Sequence, residues 1–112
     1  MNPYQYVNNV LHFDGVALPV LAKEYGTPLY VYSETALTAA YKAYEHAFAA
    51  NQPLICYAVK ANGNLSVLKH FASLGSGFDI VSGGELQRVL AAGGEAGKVI
   101  FSGVGKSVDE IK

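Results

Sequence analysis

Four times from residue 29 onward, the sequence passes from a short apolar run through a turn into a helical pattern. No other feature constrains the fold as strongly. Short strands that are apolar throughout, separated by helices, build a parallel sheet covered by those helices. The four runs are 29–32 (LYVY), 54–59 (LICYAV), 77–81 (GFDIV) and 98–102 (KVIFS). The helices after them carry end signals. Ser33 offers an N-cap to a helix reaching about residue 50, with Ala36, Leu37, Ala40, Tyr44, Ala47 and Phe48 on one stripe. Asn64 caps a helix over 65–74, with Gly75 as its terminator. Ser82 and Glu85 form a capping box ahead of ELQRVLAAG, which Gly93-Gly94 closes, and Ser107 with Glu110 repeat the box at the last helix.

Ahead of this series, residues 10–16 (VLHFDGV) read as a short strand with a turn at Asp14-Gly15. Residues 18–25 (LPVLAKEY) read as a short helix, with Pro19 in its first turn and Gly26 at its end. Parallel βα units close either as a doubly wound sheet or as an eight-stranded barrel of roughly 250 residues. The 112 residues here would supply about half of such a barrel. The expectation is therefore an α/β chain forming an N-terminal fragment of a larger fold.

Composition narrows the function. A net charge of −1, 15% charged residues and 51% hydrophobic residues describe a globular chain without the basic excess that nucleic acid requires. The apolar runs fall far short of a membrane span, and MNPYQYVNN lacks the basic start and apolar core of a secretory signal. One cysteine, Cys56, cannot form an internal bridge, which fits a cytoplasmic setting. His12, His46 and His70 are dispersed without metal-ligand spacing, so no metal is expected. GVGKS (103–107) ends like a phosphate loop, but Ile100 stands where that motif needs its first glycine.

Lys60 is the chemical focus. It follows the most apolar run directly, ahead of a turn at Asn62, Gly63 and Asn64. Continuing the strand's period of two would put it on the face of Cys56 and Ala58, with Tyr57 and Val59 opposite. An ammonium at that place is solvated, paired, or shifted in pKa by burial. Lysines of the last kind form Schiff bases with carbonyl compounds, pyridoxal phosphate among them. An ordinary solvated lysine at a strand-to-loop junction is the other reading.

The motifs around Lys60 carry a specific likeness. YAVKAN (57–62) resembles the cofactor-lysine motif of the pyridoxal phosphate-dependent decarboxylases that share the alanine-racemase-type barrel. GSGFDIVSGGEL (75–86) and VIFSGVGKS (99–107) resemble that group's second and third motifs, and DGV followed by LPVLAKEYGTPLYVYS is similar to its opening. The likeness covers essentially the whole chain and is strongest to the branch that decarboxylates meso-diaminopimelate to L-lysine.

The resemblance implies the N-terminal part of a pyridoxal phosphate-binding (β/α)8 barrel. Residues 26–112 would be its first four βα units, and residues 1–25 a strand of the family's second, β domain plus a short helix. It implies Lys60 as the residue forming the internal aldimine, Asp79 and Ala58 as cofactor neighbours, and a homodimer acting on a small amino acid. Asp79 could instead cap the following helix, Glu85 is explained by its capping box, and Asn62 by its turn. In the family's order the ring-stacking histidine, the phosphate loop and the acidic partner of the pyridine nitrogen come after Lys112, and Cys56 does not match the family's cysteine. Other basic amino acids or a carboxylated polyamine are alternative substrates, and a non-catalytic binding protein on the same barrel is an alternative role.

Overall fold

The computed structural model describes residues 2–112. They form two compact units that meet in the sequence between His46 and Ala47.

In the first unit, strands β1 (Tyr4–Val7), β2 (Val10–Phe13) and β3 (Val16–Ala17) make an antiparallel meander. Tyr4 pairs with Phe13 and Val7 with Val10 around Asn8-Asn9; Phe13 pairs with Val16 around Asp14-Gly15. All four turn residues have positive φ, as two-residue hairpin turns of right-twisted strands require. Residues 10–16 are therefore two strands and a turn rather than one strand. The signal for β1, two β-rich runs separated by exactly two asparagines, is present in the sequence.

Helix α1 (Leu18–Tyr25) has proline in its first turn and ends at Gly26, φ 81°. Helix α2 (Glu34–Ala47) starts from the expected cap: Ser33 Oγ accepts from Ala36 N at 3.0 Å and donates to Asp14 Oδ2 at 2.8 Å. That hydroxyl, with Thr35, holds the Asp14 carboxyl below its ordinary pKa. Two expectations need correction. Tyr44 is 63% exposed and Phe48 also lies in solvent, while Tyr41 is the buried residue of α2. Residues 29–32 form no strand, because no partner strand offers them a ladder and β propensity alone does not make one.

The second unit contains β4 (Cys56–Ala58), α3 (Leu65–Ser73), β5 (Gly77–Ile80), α4 (Gly83–Ala91), β6 (Val99–Phe101) and α5 (Val108–Ile111). The strands form one parallel sheet in the order β4-β5-β6, so each helix returns the chain to the next strand. Register pairs Tyr57 with Phe78 and Phe78 with Val99; Ala58 pairs with Asp79, and Asp79 with Ile100. Because side chains alternate, these pairings sort the sheet into two faces. One carries Tyr57, Phe78, Ile80, Val99 and Phe101. Phe71 of α3 stacks on Tyr57 there, with ring centroids 4.3 Å apart, and Phe78 meets Tyr57 edge-on at 6.5 Å. Phe71, Phe78 and Ile80 are buried with Val59, Val67, Leu68, Val89 and Ala92 and form the core of this unit, while Tyr57, Val99 and Phe101 are half-buried at its margin. The other face carries Cys56, Ala58, Gly77, Asp79 and Ile100, and Ile100 is 53% exposed.

Capping follows the local chemistry. Asn64 Oδ1 accepts from Ser66 N at 2.9 Å, Ser82 Oγ from Glu85 N at 3.1 Å, and Ser107 with Glu110 form the complete box. Gly75 and Gly93 take the left-handed conformation past α3 and α4.

Gly77 is required by the sheet itself. A Cβ there would lie 2.6 Å from Lys98 O and 2.7 Å from Cys56 Sγ, in contact with both neighbouring segments at once. Gly77→Ala is expected to destabilise the protein by about 1–3 kcal/mol, because a backbone carbonyl cannot step aside as a flexible side chain can. Chemical denaturation checks this; an unchanged midpoint would refute it.

Candidate active site

The carboxyl end of the parallel sheet collects the candidate residues. β4 ends at Ala58, and the chain turns at once into a single 3-10 turn over Val59–Ala61. Lys60 lies on that turn rather than on the strand. The expected strand over 54–59 is thus shortened to Cys56–Ala58, and the strand alternation does not extend to Lys60. Val59 is buried and anchors the turn, whereas Lys60 is exposed. Its amine makes no hydrogen bond or ion pair among the described residues.

Asp79 stands on the central strand, paired with Ala58 on one side and Ile100 on the other. Its carboxylate does not cap α4. Instead Oδ1 accepts from Ser102 Oγ at 2.5 Å. Ser102 follows β6 and extends the sheet, its N–H donating to Ile80 O at 2.8 Å. Cys56 shares the open face: burial pushes its thiol pKa up, and the Asp79 charge adds to the rise. Ala58, between Cys56 and the turn, presents only a methyl group.

The start of α4 is satisfied without Asp79. Glu85 Oε2 accepts from Val81 N at 2.7 Å, one residue earlier than a standard box would have it, and Glu110 Oε1 accepts from Gly83 N at 3.0 Å. Asn62 keeps its turn role, its Oδ1 accepting from Asn64 N at 3.0 Å. Lys106 of the GVGKS segment is also occupied, donating to Gly103 O at 2.8 Å with its ammonium 5.3 Å from the Phe101 ring centroid. Ser102 is the site residue that sequence reasoning missed; a strand-end hydroxyl has no local signature that points to an aspartate 23 positions away.

Glu110 gives a pH-dependent prediction. The N–H groups of Ser107 and Gly83 hold its carboxyl below the ordinary value of 4.5. A lowered folded-state pKa means that the stabilisation is complete above the unfolded value and disappears as pH falls through the folded one. Amide exchange protection at Gly83 and Ser107 is expected to fall below about pH 4.5 and to be much less pH-dependent in Glu110→Gln. Protection that falls equally in both proteins would contradict the assignment.

Residues 34–112 match the family described as pyridoxal-dependent decarboxylase, pyridoxal binding domain. Over 102 residues the chain is 71% identical to a diaminopimelate decarboxylase of Neisseria meningitidis serogroup B, covering 91% of this chain and 25% of that protein. It is 54% identical over its whole length to a diaminopimelate decarboxylase of Pseudomonas aeruginosa, covering 27% of it. A crystal structure of the diaminopimelate decarboxylase of M. jannaschii, in complex with L-lysine, superposes with a TM-score of 0.93 at 34% identity, covering 99% of this chain and 28% of that one. The chain thus spans about a quarter of the length of the curated relatives it matches. Its parallel βα units are those of the barrel these relatives share, and with the family match extending over both flanks of Lys60, the chain belongs to the pyridoxal binding domain family of the pyridoxal-dependent decarboxylases.

Proposed function

We propose that these residues are part of a pyridoxal phosphate-dependent enzyme that decarboxylates meso-diaminopimelate to L-lysine, with Lys60 holding the cofactor. The observation that carries this reading is an exposed primary amine, bonded to nothing among the described residues, just past the carboxyl end of a parallel strand and two residues beyond the Ala58–Asp79 pairing. An amine committed to a carboxylate would be a poor nucleophile toward an aldehyde; this one is uncommitted.

The donor set fits pyridoxal phosphate. Lys60 supplies the nucleophilic amine, Asp79 a carboxylate held at one oxygen by Ser102, and Ala58 a side chain that takes little room on the same face. When bound, the group supplies an electron sink for the pair left behind as carbon dioxide departs. The chain's own contribution is to present the Lys60 amine on a short turn above a buried Val59 and to fix the Asp79 carboxylate for hydrogen bonding.

On this reading residues 26–112 belong to the barrel, and the antiparallel strands of residues 1–25 belong with a β domain. The parallel order β4-β5-β6 and the meander β1-β2-β3 support that division. The enzyme would act as a cytoplasmic homodimer. A single free cysteine supports the compartment, and no helix among the described residues is long and apolar enough to cross a membrane. Carbon dioxide release from meso-diaminopimelate, ornithine and arginine by the full-length enzyme tests the substrate assignment. Release from diaminopimelate alone is expected; release only from another amino acid would move the assignment to that substrate, and none from any would favour a non-catalytic relative.

A further inference from the structure

We propose that the Tyr57 hydroxyl and the Arg88 guanidinium are positioning groups for Lys60, holding the turn that carries it; this rests on the assignment of Lys60 above. A lone 3-10 turn is a weak element, with strained hydrogen-bond geometry. This one has no capping side chain at its start, and Asn62, which ends it, is in the β conformation. What holds the segment lies outside it. Tyr57 Oη donates to Asn62 O at 3.1 Å from the strand below, and Arg88 Nη1 donates to Gly63 O at 3.2 Å from α4 of the next βα unit. The second and third carbonyls after Lys60 are thus each fixed by a different element.

The surroundings reinforce these bonds. The Tyr57 ring is locked by its stack on Phe71, so its hydroxyl is delivered at a set height above the sheet. A Cβ on Gly63 would lie 3.7 Å from Arg88 Cδ and 3.8 Å from Val59 Cγ1, so the arginine stem and the Val59 side chain both pack close to the loop at Gly63. Arg88 is exposed and its hydrogen-bond partner is a neutral carbonyl rather than an acid, an arrangement that contributes little to global stability. Its effect is local. With Val59 buried before Lys60 and two carbonyls held after it, the backbone at Lys60 stays in place, and only the four-carbon stem needs to be ordered when the amine engages the cofactor.

The test uses the full-length enzyme and the variants Tyr57→Phe, which keeps the ring stack, Arg88→Ala and Arg88→Lys. Two quantities are read: amide exchange over residues 60–64 without cofactor, and the affinity for pyridoxal phosphate measured by borohydride-reducible attachment. Thermal midpoints serve as the fold control. Tyr57→Phe and Arg88→Ala are each expected to speed exchange at residues 60–64 and to weaken attachment by about three- to tenfold, the loss of one hydrogen bond, with midpoints unchanged. Arg88→Lys is expected to restore part of both effects. Wild-type exchange and affinity in Tyr57→Phe and Arg88→Ala would overturn the proposal, as would lowered midpoints with unchanged attachment, which make the two groups merely structural. Absence of attachment in the wild-type enzyme would instead refute the assignment of Lys60, and exchange at residues 60–64 would then decide the positioning claim alone.

Discussion

Replacing Lys60 by alanine is expected to remove covalent cofactor attachment altogether and to lower turnover of the full-length enzyme by at least about 10²–10⁴-fold, the range associated with loss of a single positioned acid–base group. The loss should exceed that of any other substitution at the carboxyl end of the sheet, because in the proposed assignment the remaining residues there would orient the cofactor whereas Lys60 would bond it. Asp79 is held by Ser102, and Ala58 contributes only its small size. Asp79→Asn would keep the acceptor for Ser102 and retain attachment at reduced affinity. Lys60→Ala has no comparable fallback, since the next cation along the chain, Lys69, lies on α3. Absorption of the lysine-bound cofactor, followed beside carbon dioxide release, checks both statements; a Lys60→Ala enzyme with the wild-type absorption band would refute them.

The largest effect on stability is expected at Phe78. It is 0% exposed, sits on the central strand β5 between Tyr57 and Val99, and its ring lies perpendicular to that of Tyr57. Its Cε2 would lie 3.0 Å from a Cβ on Gly94, so the ring packs against the chain just past α4. Truncation would leave a void bounded by sheet on one side and helices on the other, which neither layer can close without losing its register. Phe78→Ala is therefore expected to cost about 3–5 kcal/mol. The denaturation midpoint of the full-length protein, at unchanged slope, measures this. A cost below about 1 kcal/mol would mean that the two layers are not packed as described.

The sequence revealed what depends on neighbouring residues. Asn64, Ser82 and Ser107 were legible as helix starts because a cap is made within three residues, and Gly75 and Gly93 as helix ends because the left-handed conformation suits glycine. The apolar runs around Cys56, Phe78 and Ile100 were legible as parallel strands because a sheet covered by helices demands them. Lys60 stood out because its charge ends such a run.

Features set by distant pairing were not legible. Leu29, Tyr30, Val31 and Tyr32 have the composition of a strand, yet a strand exists only where another offers a ladder. The strand's period of two would carry Lys60 onto the sheet face, whereas the chain turns at Val59, which is buried. The Ser102–Asp79 and Arg88–Gly63 bonds span 23 and 25 positions, and no periodicity or cap connects residues so far apart. The hairpin of β1 and β2 is a different case, because its asparagine pair is a local turn signal present in the sequence.

The most direct test of the central claim is to reduce the full-length enzyme with borohydride in the presence of pyridoxal phosphate, digest it, and locate the added mass by tandem mass spectrometry. The account predicts one labelled lysine, Lys60, on the peptide containing YAVKAN. Label on Lys69, Lys98 or Lys106 instead, with Lys60 unmodified, would contradict it.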